Sequence, residues 1–209
     1  MPKKSAVAAS AWNNVEAFRL FSDREYLTLS VPEQIAFHLA DRITEDLLPA
    51  GEHIIEQELA ESFKVSRGPV REAIRILERE GLVTIQPRRG AIVRMLTPQD
   101  LKELDQLQRG LVLMGLAWID AQPDKLGLLR EGLDLLEAEH ARGNLLRFIH
   151  LSNEMVRQVG GLAGNRHLYH MLYSITLQTL RYQRQVVKSE GERQACLDFW
   201  RQSLSPAKV

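Results

Sequence analysis

The sequence predicts a mainly α-helical chain in two domains: three helices closed by a β-hairpin, then an all-helical bundle. Three observations carry that prediction. Apolar residues recur at helical spacing along most of the 209 residues, the period drops to two only around residues 82–95, and a Thr97-Pro98-Gln99-Asp100 helix start follows at once. A composition of 44% hydrophobic and 26% charged residues suits ordinary globular domains and excludes a collagenous, coiled-coil or wholly disordered chain. No apolar run approaches the roughly 18 residues of a membrane span. The start MPKKSAVAASAW is basic but carries no apolar core of signal-peptide length, so the chain reads as cytoplasmic. The single cysteine, Cys196, has no internal disulfide partner and reads as a small core residue.

Residues 1–29 mix small residues with a short apolar cluster and read as a flexible N-terminal arm. At Ser30-Val31-Pro32-Glu33 a capping box with Pro in the first turn opens a helix carrying Ile35, Ala36, Leu39, Ile43 and Leu47 inward, expected to end at Pro49-Ala50-Gly51. A second helix begins near Glu56, with Leu59, Ala60 and Phe63 inward, and breaks at Lys64-Val65-Ser66. The third runs from Ser66 as N-cap to Gly81, with Val70, Ile74 and Leu77 on its buried side. Leu82–Gln86 and Ala91–Met95 then flank Pro87-Arg88-Arg89-Gly90, the signature of a hairpin with a tight, Gly-bounded tip. The Thr97-Pro98 helix start places the domain boundary at residues 96–98, giving domains 30–95 and 96–209.

Helices only are expected beyond that boundary. Leu101, Leu104, Leu107, Leu111, Met114 and Trp118 stripe the first, Leu129, Leu133 and Leu136 the second, and Phe148, Leu151, Met155 and Val159 the third. Residues 167–187 and 193–204 supply a fourth and a fifth, while Gly160-Gly161 and Gly164-Asn165 punctuate the middle.

Charge separates these parts. The formal net charge of zero, from 27 basic and 27 acidic residues, argues at face value against a nucleic-acid partner. Residues 30–63, however, hold one basic group against eight acidic ones, and residues 64–95 hold eight basic against three acidic. The zero is a cancellation. Arg67, Arg71 and Arg75 recur every fourth residue and share the face opposite Val70, Ile74 and Leu77. Ser66 and Arg67 stand at a helix N-terminus, where free N–H groups favour a phosphate. Such a face can offer guanidinium forks to guanine O6/N7, and Arg88, Arg89 and Gly90 sit at the hairpin tip. Arginines at this spacing alone are equally a solvated face; a basic face, a preceding turn and a basic tip together make a winged helix-turn-helix for reading DNA.

The run Leu59-Ala60-Glu61-Ser62-Phe63-Lys64-Val65-Ser66-Arg67-Gly68-Pro69-Val70-Arg71-Glu72-Ala73-Ile74, with Glu80-Gly81-Leu82-Val83 and Arg89-Gly90-Ala91-Ile92-Val93, closely resembles the GntR family of bacterial transcription regulators. The resemblance implies a homodimer on a pseudo-palindromic double-stranded operator, with the third helix in the major groove and the wing tip in the minor groove. Carried over position by position, it implies Ser66, Arg67, Gly68, Arg71, Arg88, Arg89 and Gly90 as the operator contacts.

The helical part resembles, less closely, the FadR-type effector domain called FCD. Asp100-Leu101 with Leu104, Leu107 and Arg109 is similar to its first helix, and Leu162-Ala163-Gly164-Asn165 to its SGNxxL turn. This implies a small-molecule effector, with Arg109 and Asn165 as candidate contacts. A buried Arg needs an anion, so Arg109 either grips an organic acid or is an internal salt-bridge partner or a surface Arg. Many such domains hold a divalent metal, but the matching positions here are Ser152 and Val156, with Trp200 where a later His is expected, so no metal or other cofactor is expected. His150 with Glu154, and His167 with His170, are the only substitute donors in view. The chain closes at Ser205-Pro206-Ala207-Lys208-Val209, earlier than the family's usual helices, which implies a pocket that is open, remodelled or completed by a partner subunit. The leading expectation is a ligand-responsive regulator, acting as a repressor. The alternative is a DNA-binding dimer whose helical domain only dimerises. No phosphate-cradling loop or nucleophile set suggests an enzyme.

Overall fold

The computed structural model describes residues 29–119 and 122–205. Residues 1–28 of the expected arm and the last four residues lie outside the described ones. The described residues divide into two compact units, 29–102 with 177–181, and 103–176 with 182–205.

In the first unit α1 spans Val31–Thr44, β1 His53–Ile54, α2 Glu56–Phe63, α3 Arg67–Arg79, β2 Val83–Gln86 and β3 Gly90–Val93. The Ser30–Glu33 capping box is present, with Ser30 N–H donating to Glu33 Oε2 at 2.8 Å. Helix α1 ends earlier than its apolar spacing suggests. Asp46 takes a left-handed backbone, φ 60°, and the chain turns there, with Leu47 N–H and Leu48 N–H both reaching Arg42 C=O. The turn buries Leu48 in place of Leu47, which stays 62% exposed. The core forms where α1 packs on α3: Ile35, Leu39 and Ile43 meet the side of α3 that carries Val70, Ile74 and Leu77, all buried. Burial of such side chains is worth about 1.5–3 kcal/mol each, which makes this face the main support of α3.

The hairpin pairs Val83 with Val93 and Gln86 with Gly90. A third strand was not evident in the sequence. His53 and Ile54 pair with Ile92 and Ala91, so the sheet runs β1-β3-β2, all antiparallel. Gly51 N–H to Val93 C=O and Val93 N–H to Glu52 C=O, each 2.9 Å, extend that joint.

The expected helical bundle consists of α4 (Pro98–Ile119), α5 (Pro123–Ala141), α6 (Leu145–Leu162), α7 (Arg166–Val186) and α8 (Glu190–Leu204), and the second unit takes all of it but residues 98–102 and 177–181. Thr97 caps α4 through Asp100, whose carboxylate accepts from the Thr97 N–H at 2.8 Å and hydroxyl at 2.6 Å. The expected stripes of α5 and α6 are the buried ones. That of α4 is not: Leu111 is buried together with Val112, Leu116 and Ile119, whereas Leu107, Met114 and Trp118 are exposed. Both sides of α4 are apolar, so spacing alone did not choose the inward one. Gly160 and Gly161 do not interrupt α6 either. A Cβ on Gly160 would stand 3.0 Å from Tyr169 Cα, so this glycine lets α7 approach.

Gly115 serves α4 in the same way, since a Cβ there would lie 2.6 Å from Val159 Cγ1. Gly115→Val is expected to cost about 1–3 kcal/mol by overpacking, read as a lower urea midpoint. A midpoint like that of the unchanged chain would show that the α4–α6 contact yields freely.

Candidate nucleic-acid interface and ligand cavity

The seven residues expected at DNA, Ser66, Arg67, Gly68, Arg71, Arg88, Arg89 and Gly90, are all exposed and belong to one unit. Lys64 at φ 55° makes the sharp turn that redirects the chain from α2 into α3. Ser66 is the N-cap of α3 but its hydroxyl caps nothing there, which leaves the first N–H groups of the helix and the hydroxyl to an outside acceptor. A Cβ on Gly68 would touch only Ser66 Oγ, at 3.9 Å. No packing among the described residues requires a glycine at that place.

The arginines are pre-positioned by α2, a feature that sequence reasoning missed. Arg67 Nη2 donates to Gln57 Oε1 and Arg71 Nε to Glu56 Oε2, both at 2.8 Å. Gln57 and Glu56 lie ten and fifteen residues upstream, too far for a local helical rule to pair them. Arg75 instead pairs within its own helix with Glu72, at 3.5 Å. At the wing tip Arg88 has φ 64° and Gly90 φ 82°. Gly90 takes that conformation without strain, while Arg88 holds it at a cost.

The second unit contains a cavity of about 140 Å³ lined from α4, α6, α7 and α8. An enclosed void near 150 Å³ accommodates benzene, so the space suits a small organic molecule. Arg109 lines it. The expected alternatives for Arg109 meet in one place: Nε donates to Asp105 Oδ2 at 2.8 Å, and the guanidinium lies 4.8 Å from the Phe199 ring centre, yet the side chain still faces the cavity. Asn165 is not in the lining. Its side chain accepts from the N–H groups of His167 and Leu168, at 3.0 and 3.1 Å, and so caps α7.

Ser152, Val156 and Trp200, the positions matching family metal ligands, do converge on this cavity. They do not fit a metal. Ser152 Oγ is 3.5 Å from Cys196 Sγ, Val156 has no donor atom, and the indole of Trp200 offers only an N–H. Burial pushes the Cys196 thiol up, which keeps it protonated and a poor ligand. Glu154 is engaged by Arg157 and Gln158, and His170 stacks edge-on with Tyr169 at 5.7 Å. Among the described residues no group of three His, Cys, Asp or Glu could hold a metal ion. We expect a chelator to leave the unfolding midpoint unchanged; one transition metal per purified chain would contradict this.

No helix among the described residues is long and apolar enough to cross a membrane. Residues 32–93 match the family model of bacterial regulatory proteins, gntR family. An uncharacterized HTH-type transcriptional regulator, YdhC of Bacillus subtilis, is 33% identical over 125 residues, which are 58% of this chain and 56% of that protein. A second uncharacterized HTH-type regulator, from the TAR-I ttuE-ttuC' intergenic region of Agrobacterium vitis, is 33% identical over 116 residues, 53% of this chain and 68% of that one. The gluconate operon transcriptional repressor of Bacillus subtilis is 38% identical over 71 residues, 34% of this chain and 29% of the repressor. The chain thus spans between about a third and two thirds of these relatives. Among solved structures, Escherichia coli McbR/YncC superposes with a TM-score of 0.59 at 18% identity, covering 85% of this chain and 94% of that one. At that identity the likeness is one of fold: a winged helix-turn-helix followed by a helical bundle.

Proposed function

This chain belongs to the gntR family of bacterial regulatory proteins, and from that premise we propose that it is a cytoplasmic transcriptional repressor that binds its operator as a homodimer and responds to a small metabolite. The family is one of regulators, not of enzymes. The observation that carries the reading is the exposed basic face of α3, with Ser66 at its start and Arg67 and Arg71 held from α2, in the same unit as the exposed Arg88-Arg89 tip. In this reading Arg67 and Arg71 meet base edges and phosphates in the major groove, Ser66 and Gly68 let a phosphate approach the helix start, and Arg88, Arg89 and Gly90 enter the minor groove or flank it. Acidic α1 and α2 limit binding to arbitrary DNA, since such binding rests on phosphate neutralisation. The repressor assignment is carried by likeness to gluconate operon repressors.

In the same reading the effector is a small organic acid or a molecule bearing a carboxylate, bound in the cavity beside Arg109, the one cation among the described lining residues. Selection from a random duplex pool followed by footprinting tests the operator reading. It should return an inverted repeat, protected on both halves by a particle of twice the chain mass; a single unrepeated site would overturn the dimer. One observation favours a second reading, in which the helical domain only dimerises. Leu107, Met114 and Trp118 leave an apolar row on α4 exposed, and such rows mark contact surfaces.

A further inference from the structure

We propose that the cavity of the helical unit selects a zwitterionic amino acid with a medium-sized apolar side chain, in preference to a plain carboxylic acid. The proposal rests on the effector reading above and names its ligand class. Among the described residues, three charged side chains line the cavity: Arg109, Asp105 and Glu192. Among them one cation, paired with Asp105, stands with two anions, Asp105 and the exposed Glu192. A monocarboxylate would satisfy Arg109 but leave Glu192, and the share of Asp105 that Arg109 now neutralises, facing a like charge. A simple amine would answer the carboxylates and leave the guanidinium unused. A ligand carrying both groups satisfies all three.

The hydrogen bonds fit the same pattern. Arg109 spends Nε on Asp105, which leaves the pair of terminal nitrogens, the edge that takes a carboxylate through two parallel bonds. The guanidinium plane is steadied by the Phe199 ring. Gln108, also in the lining, donates through Nε2 to Thr176 Oγ1 at 2.8 Å, and its carbonyl oxygen is of a kind that accepts from an ammonium. Gln183, also in the lining, is committed to a reciprocal pair with Asn153 at 2.8 and 2.9 Å and adds no further charge preference. Phe148, Val156 and Trp200 supply an apolar wall, and about 140 Å³ of space holds one medium side chain.

The test is thermal unfolding and calorimetric titration of the full chain with leucine, methionine and phenylalanine, each beside its deaminated carboxylic acid and its decarboxylated amine. At least one amino acid should raise the midpoint, and its acid and amine should bind at least about tenfold more weakly, a factor that follows from losing one charge-assisted contact. Arg109→Ala and the exposed Glu192→Gln should each weaken that amino acid by about tenfold; Glu192→Gln serves alone if the first variant unfolds. Carboxylic acids binding as tightly as the amino acids would overturn the zwitterion and leave an acid effector standing. No response to any of the nine compounds would overturn the zwitterion and the effector reading together.

Discussion

Arg71→Ala is expected to weaken binding to the selected operator by about 5- to 150-fold, or ~1–3 kcal/mol, while affecting a random duplex of equal length far less. The reason lies in how Arg71 is held. It stands one turn into α3 on the exposed face, its side chain 60% exposed, with Nε on Glu56 at 2.8 Å. Exposed pairs of this kind are worth at most about 1 kcal/mol. A bidentate fork on guanine O6/N7 is worth more, so a guanine is expected to win Arg71 from Glu56. Arg71→Lys should rescue little, because an ammonium cannot fork. The salt slope separates the outcomes. An unchanged slope with lost discrimination places Arg71 on a base; a slope lower by about one, with equal loss on random duplex, places it on phosphate and overturns the base contact.

The reading domain was legible because its signals are local. A capping box, the Lys64–Ser66 break and two β-prone runs around Pro87 and Gly90 each fix backbone geometry within a few residues. The two-residue strand His53–Ile54 was not legible, since it exists only by pairing with β3 almost forty residues away. The same limit explains the cavity. Arg109 and its Asp105 partner lie four apart on one helix, a spacing that announces an ion pair. Glu192 and Gln108 meet there only because α4 and α8 enclose one space, a matter of tertiary packing that no periodicity records. Asn165, expected at a ligand through a motif, holds the start of α7, and Asn at the head of a helix is itself a cap signal.

Trp200→Ala should be the most damaging single change in the helical unit, lowering its stability by about 3–5 kcal/mol. Its side chain is 1% exposed and lies within the core formed by Leu129, Leu136, Leu151 and Met155, so truncation leaves a void that fixed helices can only partly close. Against the ~5–15 kcal/mol typical of a domain, that is a third or more of the whole. Trp118 is the matching control. Its spacing put it on the inward stripe of α4, but it is 44% exposed, and Trp118→Ala should change stability by no more than about 0.5 kcal/mol in the isolated chain. Urea unfolding decides between them, with a lower midpoint at unchanged slope for Trp200→Ala. If Trp118→Ala proved the costlier of the two in dilute protein, α4 would have its other face inward and the cavity beside Arg109 would be lost with it. If the cost of Trp118→Ala appeared only at concentrations where chains pair, the exposed row of α4 would be the surface on which they do so.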